Sequence, residues 1–180
     1  MNATSRTWTA GLLAALALGA LTGCGESDAG DSGKPKGASD TQQVATNAEK
    51  YMNAWMSKPN PKVRCKLETK ANRPNYRHDG GTLAGCISEY TSHDDDQADP
   101  SRAPLSIAIS HVQDVQATGQ HPAGKGALAS MHRKGEDPFR YVLRLVKEDG
   151  QWAVEQSESV YSGRYGHTAD PVVDVLARME

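Results

Sequence analysis

Residues Phe139 to Val160 read FRYVLRLVKEDGQWAVEQSESV, and this stretch decides the fold. Phe139, Tyr141, Leu143 and Leu145 recur at every second position, the period of a strand with one face buried. Asp149-Gly150 is the dipeptide that closes a two-residue hairpin, because both central residues of that turn need a positive φ. Beyond it, Trp152 and Val154 resume the alternation. A two-residue loop pairs Glu148 with Gln151. Continued without interruption, the register sets Leu145 opposite Val154, Leu143 opposite Gln156, Tyr141 opposite Glu158 and Phe139 opposite Val160. All these pairs then share one face of the sheet.

The same period extends upstream. Leu105, Ile107 and Ile109 alternate, the pattern slips near Val112 and resumes at Val115, as in a long strand interrupted by a β-bulge. His121-Pro122-Ala123-Gly124 is a turn signal, and Gly126 to Arg133 supplies a further strand. Four antiparallel strands are therefore expected. Ahead of them the period is helical. Ser39 or Asp40 is placed to cap a helix, with Gln42 or Gln43 in capping-box position. Val44, Ala48, Tyr51 and Trp55 then form one stripe, widened by Met52 and Met56. Lys58-Pro59-Asn60-Pro61 ends it, and Asn60 with Pro61 opens a second helix running to about Lys70. Thr82 caps a third, with Leu83, Cys86, Ile87 and Tyr90 on one side. The charged run from His93 to Pro100 lacks the spacing of a calcium loop and is expected to be solvated. Asp170-Pro171 starts a short C-terminal helix carrying Val172, Val175, Leu176 and Met179.

Helices followed by an antiparallel meander make an α+β layout: N-terminal helices on a curved sheet of about four strands, with a short C-terminal helix. The order resembles the cone-shaped nuclear transport factor 2-like fold. The pattern A-x-x-Y-x-x-A-W at Ala48, Tyr51, Ala54 and Trp55 is similar to the opening of secreted bacterial lipoproteins of that type. The ending D-G-x-W-x-V at Asp149, Gly150, Trp152 and Val154 is similar to their closing strands. The resemblance covers about residues 40–162. It implies a fold that elsewhere hosts isomerases, dehydratases, ligand binders and dimerisation modules, so it does not assign an activity. No catalytic residue is carried over, because no local motif here matches the acidic base with a Tyr donor, or the His-Asp pair, used by enzymes of that fold.

The N-terminus carries an address. Arg6 precedes the apolar run AGLLAALALGAL of 12 residues, Ala10 to Leu21. That is shorter than the roughly 20 residues a membrane-spanning helix needs. The run ends in Leu21-Thr22-Gly23-Cys24, which resembles the lipobox of bacterial lipoproteins. The resemblance implies a signal peptide at 1–23 and acylation of Cys24, with the chain held at the extracytoplasmic face of the cell membrane. Residues 25–40, rich in Gly, Ser, Asp and Lys, then read as a flexible tether. The α+β domain is expected over 41–165 and a tail with a short helix over 166–180. With Cys24 taken by lipid, Cys65 and Cys86 remain as an even pair in an oxidising compartment, and a disulfide is expected between them. Closing that loop is worth roughly 3 kcal/mol in the chain-entropy model.

Composition narrows the function. The chain has 180 residues, 20 Lys+Arg against 22 Asp+Glu, and a formal net charge of -2. That balance argues against a broad basic nucleic-acid face. A mean hydropathy of -0.63 excludes a polytopic membrane protein. Three Cys and six His leave little room for a multi-cysteine metal scaffold, and no metal or cofactor is expected. Nucleophile-elbow, P-loop, zincin and Cys-x-x-Cys patterns do not occur. His78, His93, His121 and His167 fall in expected loops and turns. His111 and His132 fall on neighbouring strands but lack a third ligand. If the odd positions of the first strand face inward, His111 and Gln113 continue the face of Ile107 and Ile109. Gln156 and Glu158 then continue that of Trp152 and Val154, beside Tyr141. His111, Gln113, Tyr141, Gln156 and Glu158 are therefore the candidate ligand-binding set, at the polar end of a concave apolar face. They are expected to orient a ligand rather than catalyse. Two functions follow. One is a surface module that binds a small apolar ligand or an envelope protein. The other is an envelope enzyme of isomerase, dehydratase or hydrolase type.

Overall fold

The computed structural model describes residues 38–74, 81–93, 105–160 and 169–177. Helix α1 spans Asp40–Met52, and its start is the expected capping box. The Ser39 hydroxyl accepts from the Gln42 backbone N–H, and the Gln42 side chain accepts from that of Ser39. The helix does not stop at Met52 but widens into a π-helical turn, Asn53–Ser57. Helix α2, Pro61–Leu67, is capped by the Asn60 side chain on the Val63 N–H. It ends three residues earlier than about Lys70, because Glu68 forms a parallel bridge with Val154 and the Thr69 N–H donates to the Val154 carbonyl. Helix α3 spans Leu83–His93, with Thr82 as its cap.

Strands β1 (Leu105–Val115), β2 (Gly124–Arg133), β3 (Phe139–Glu148) and β4 (Gln151–Ser159) form one antiparallel sheet in the order β1-β2-β3-β4. The β3–β4 turn has φ of 50° at Asp149 and 79° at Gly150, which is why that dipeptide occupies it. Helix α4, Pro171–Ala177, closes the described chain, with Asp170 capping the N–H groups of Val172 and Val173. The expected α+β fold is the one observed.

Two cores flank the sheet. On the front, Val44, Ala48, Tyr51 and Met52 of α1 pack on Leu105, Ala127, Ala129, Met131, Leu143, Leu145, Trp152 and Val154. On the back, Val172, Val175 and Leu176 of α4 pack on Val115, Leu128, Val142 and Val160. The back core needs close approach at Gly126, where a β-carbon would overlap the γ-carbons of Val172 and Val115.

Two bulges set which side chains face which core. In β1 the register shifts between Ser110 and Gln113. Leu105, Ile107, Ile109 and Val112 therefore meet the front core, whereas Val115 belongs to the back. In β4 an extra residue, Glu155, enters after Val154. Arg144 then pairs with Gln156, Leu143 with Ser157, Val142 with Glu158 and Tyr141 with Ser159. The uninterrupted register expected beyond Leu145–Val154 is thus corrected: Gln156 and Glu158 leave the face of Tyr141, and Val160 joins the back core rather than facing Phe139.

Candidate functional site

The chemistry of the front face gathers around Glu68, just past the end of α2. Its side chain is 1% exposed. Its Oε1 accepts from the Tyr51 hydroxyl at 3.1 Å, the Tyr90 hydroxyl at 3.0 Å and Arg64 Nε at 3.2 Å. Its Oε2 lies 3.5 Å from Cys86 Sγ. Burial pushes the Glu68 carboxyl above its ordinary value, opposed by the Arg64 charge and the two phenols. Burial, with the Glu68 charge next, pushes both phenols up, so they remain O–H donors.

Cys65 and Cys86 form the expected disulfide, which joins α2 to α3. It sets Tyr90 over the α2 side chain Arg64. The guanidinium carbon of Arg64 lies 3.6 Å from the Tyr90 ring centroid, 4.6 Å from that of Trp55 and 5.7 Å from that of Tyr51. Trp55 in turn meets Tyr141 edge-on at 5.1 Å. Trp55 and Met56 are on the π-helical turn. They stand half-buried beside Ile107, Ile109, Val112, Phe139 and Tyr141, a continuous apolar strip on the front face. Cys65, Glu68 and Cys86 are close enough together to suggest a metal site. The two sulfurs are bonded to each other, however, so neither is a thiolate, and the group does not fit a metal.

The five residues expected to share a site are not brought together. Tyr141 stands on the front, against Trp55. His111 is exposed at the β1 bulge, with φ 52° and its Nδ1 3.0 Å from Ser110 Oγ. Gln113 donates to both oxygens of Asp170 at 2.8 Å and so fastens the start of α4. Gln156 is buried on the back, where its Oε1 accepts from Arg144 Nε at 3.2 Å. Its Nε2 meets no acceptor at full hydrogen-bond geometry among the described residues. Glu158 pairs across from Val142, its carboxyl pushed up by burial. The reason is the two bulges, each of which exchanges the faces of the residues after it.

The back face holds a different centre. Arg144 is 0% exposed and spends all five N–H groups inside the protein. Nε donates to Gln156. Nη1 donates to the carbonyls of Gln116 and Pro122, and Nη2 to Thr118 Oγ1 and the Leu176 carbonyl. Beside it, Glu155 accepts from the Thr69 hydroxyl and lies 3.4 Å from His121 Nδ1. These contacts tie the β1–β2 turn to α4 and β4.

Arg64, Glu68 and Arg144 had no place among the sequence candidates. Arg64 and Glu68 stand four apart around Cys65, a spacing that puts them on one helical side. Among the described residues no helix is long and apolar enough to cross a membrane. Cys24, residues 25–37 of the expected tether, His78, the charged run after His93, His167 and Met179 lie outside the described residues, whereas Ser39 and Asp40 belong to the cap and first turn of α1.

No family model matches the chain, and no curated protein matches it. Among solved structures it is similar to an NTF2-like protein of unknown function from Shewanella oneidensis MR-1. Identity is 12%, the match covers 66% of this chain and 97% of that one, and the TM-score is 0.42. It is also similar to a protein from Catenulispora acidiphila, at 12% identity, 70% and 94% coverage and a TM-score of 0.41.

Proposed function

We propose that this chain is a lipid-anchored protein of the cell envelope whose extracytoplasmic domain is a non-catalytic binding module for a small ligand or a partner protein. One observation carries the non-catalytic part. Glu68, the buried acid of the front face, has three donors of its own chain on one oxygen and a disulfide sulfur beside the other. A general base needs a lone pair within reach of a substrate proton, and this carboxyl is enclosed. His111 and Glu158 in one closed cavity would favour the enzyme alternative, whereas they stand on β1 and β4, the two edges of the sheet. The half-buried strip from Trp55 to Phe139 is the surface the module would use.

The anchor rests on the short apolar run, Leu21-Thr22-Gly23-Cys24, and a disulfide suited to an oxidising compartment. Mass spectrometry of the membrane-extracted protein tests it. The expected result is an N-terminal Cys24 carrying acyl mass, with Cys24→Ala leaving the chain unacylated and uncleaved at Gly23. A mature terminus elsewhere, without acyl mass, overturns the anchor.

A further inference from the structure

The structure assigns Arg64 as an anion-binding residue: we infer that its outer edge receives the carboxylate of a small organic acid whose apolar body lies along Trp55 and Tyr141. This rests on the binding-module reading and names the ligand class of its surface.

The guanidinium is already positioned. Glu68 holds Nε at 3.2 Å, and Tyr90 and Trp55 lie against its faces. Stacking of this kind orients an arginine and lowers the hydration it must lose on binding. Of the five N–H groups of the side chain, Nε alone has a protein acceptor among the described residues. The Nη groups are not sealed away: the side chain is 15% exposed, and none of its nitrogens is a buried atom without a partner. Two Nη donors in a fixed fork match a carboxylate, which takes two parallel charge-assisted bonds.

The surroundings select the rest of the ligand. From Arg64 the surface continues through Trp55 to Tyr141, and the sheet register places Ala129 and Ile109 in the same row as Tyr141. Trp55, Tyr141 and Ile109 are half-buried. The ligand is thus anionic at one end and apolar, preferably aromatic, at the other. Free inorganic anions lack the second half and an alcohol lacks the first. The disulfide matters because it fixes α3, and with it Tyr90, over Arg64.

The test uses the purified chain and three isosteric probes: phenylacetate, phenylethanol and phenylethylammonium. Binding is followed at neutral pH by the indole N–H resonance of Trp55, assigned with Trp55→Phe. Phenylacetate is expected to bind about tenfold more tightly than phenylethanol, the discrimination of one good charge-assisted pair, and phenylethylammonium weakest. Arg64→Gln should abolish the preference for the acid. Arg64→Lys, which keeps the charge on Glu68 compensated, should weaken phenylacetate about tenfold because an ammonium cannot fork. Equal binding of acid and alcohol overturns the anion site while leaving a binding module. Undiminished phenylacetate binding by a folded Arg64→Lys overturns it too, as does a Trp55 resonance that none of the probes moves. Missing acyl mass on Cys24 would instead strike the envelope reading and leave this result standing.

Discussion

Arg64 on the front of the sheet is partly exposed and Arg144 on the back is fully buried, and the two do opposite things with their donors. Arg144 gives every N–H to a protein acceptor, three of them backbone carbonyls, and so joins the β1–β2 turn to the end of α4. Arg64 gives one N–H to Glu68 and otherwise rests between rings. A saturated guanidinium is a fastener, because breaking it strands several acceptors at once. One that is held by its faces and one edge keeps a second edge for something outside the chain. The difference lies in the supply of acceptors. Turn carbonyls and the end of α4 surround Arg144, whereas among the described residues Arg64 meets one carboxylate and aromatic rings.

Substitutions of unequal effect would break this comparison. Arg144→Leu removes the donor for three carbonyls, Thr118 Oγ1 and Gln156, and is expected to cost about 4 kcal/mol in urea unfolding; a loss below about 1 kcal/mol would remove its structural role. Gly126→Ala pushes a methyl group against Val172 and Val115 and should cost about 1–3 kcal/mol. Its mark is localised: faster amide exchange in α4 with α1 unchanged, and equal loosening of both helices would mean the two cores are not separate. Arg64→Lys keeps a positive charge beside the buried Glu68 and forfeits the guanidinium's bond geometry and ring contacts, about 1–2 kcal/mol, so a cost matching that of Arg144→Leu would erase the distinction.

The smallest effect is a pH dependence. The folded Glu68 carboxyl titrates above its ordinary value of 4.5. The stability it contributes is then fully present below that value and is lost as pH rises through the folded pKa. Glu68→Gln should flatten this decline in urea midpoints measured from acid to neutral pH. A variant curve parallel to the parent's would show that Glu68 does not titrate with folding. Asp170 works in the opposite sense. Its carboxyl is held low, chiefly by Gln113, and its contribution is lost as pH falls.

How far the sequence could be read depended on how local each signal is. Ser39 with Gln42, Asn60 with Pro61, Thr82 and Asp170 with Pro171 each act on N–H groups within three residues, and all four open helices as expected. Asp149-Gly150 is equally local. The bulge of β1 left a trace because its apolar alternation visibly slips near Val112. The bulge of β4 left none: Glu155, Gln156, Ser157, Glu158 and Ser159 are all polar, so no apolar period exists to slip. On β4 that shift parts Gln156 and Glu158 from Tyr141, since a one-residue shift exchanges faces.

The elements, the starts of the helices and the hairpin could be read from the sequence because caps, turns and periods are written in neighbouring residues, and the expected pairing of Cys65 with Cys86 is the one observed. Only the tertiary structure decided the faces of the sheet beyond the bulges. Gln156 turns to the back where Arg144 lies, Glu155 meets Thr69 and His121, and Gln113 reaches Asp170, 57 residues away. It likewise decided that Glu68 and Arg64 meet Tyr90 of another helix and Trp55 beyond the end of α1. Those contacts depend on how α2 and α3 are stapled and laid over the sheet, and no local pattern encodes a distance between two helices.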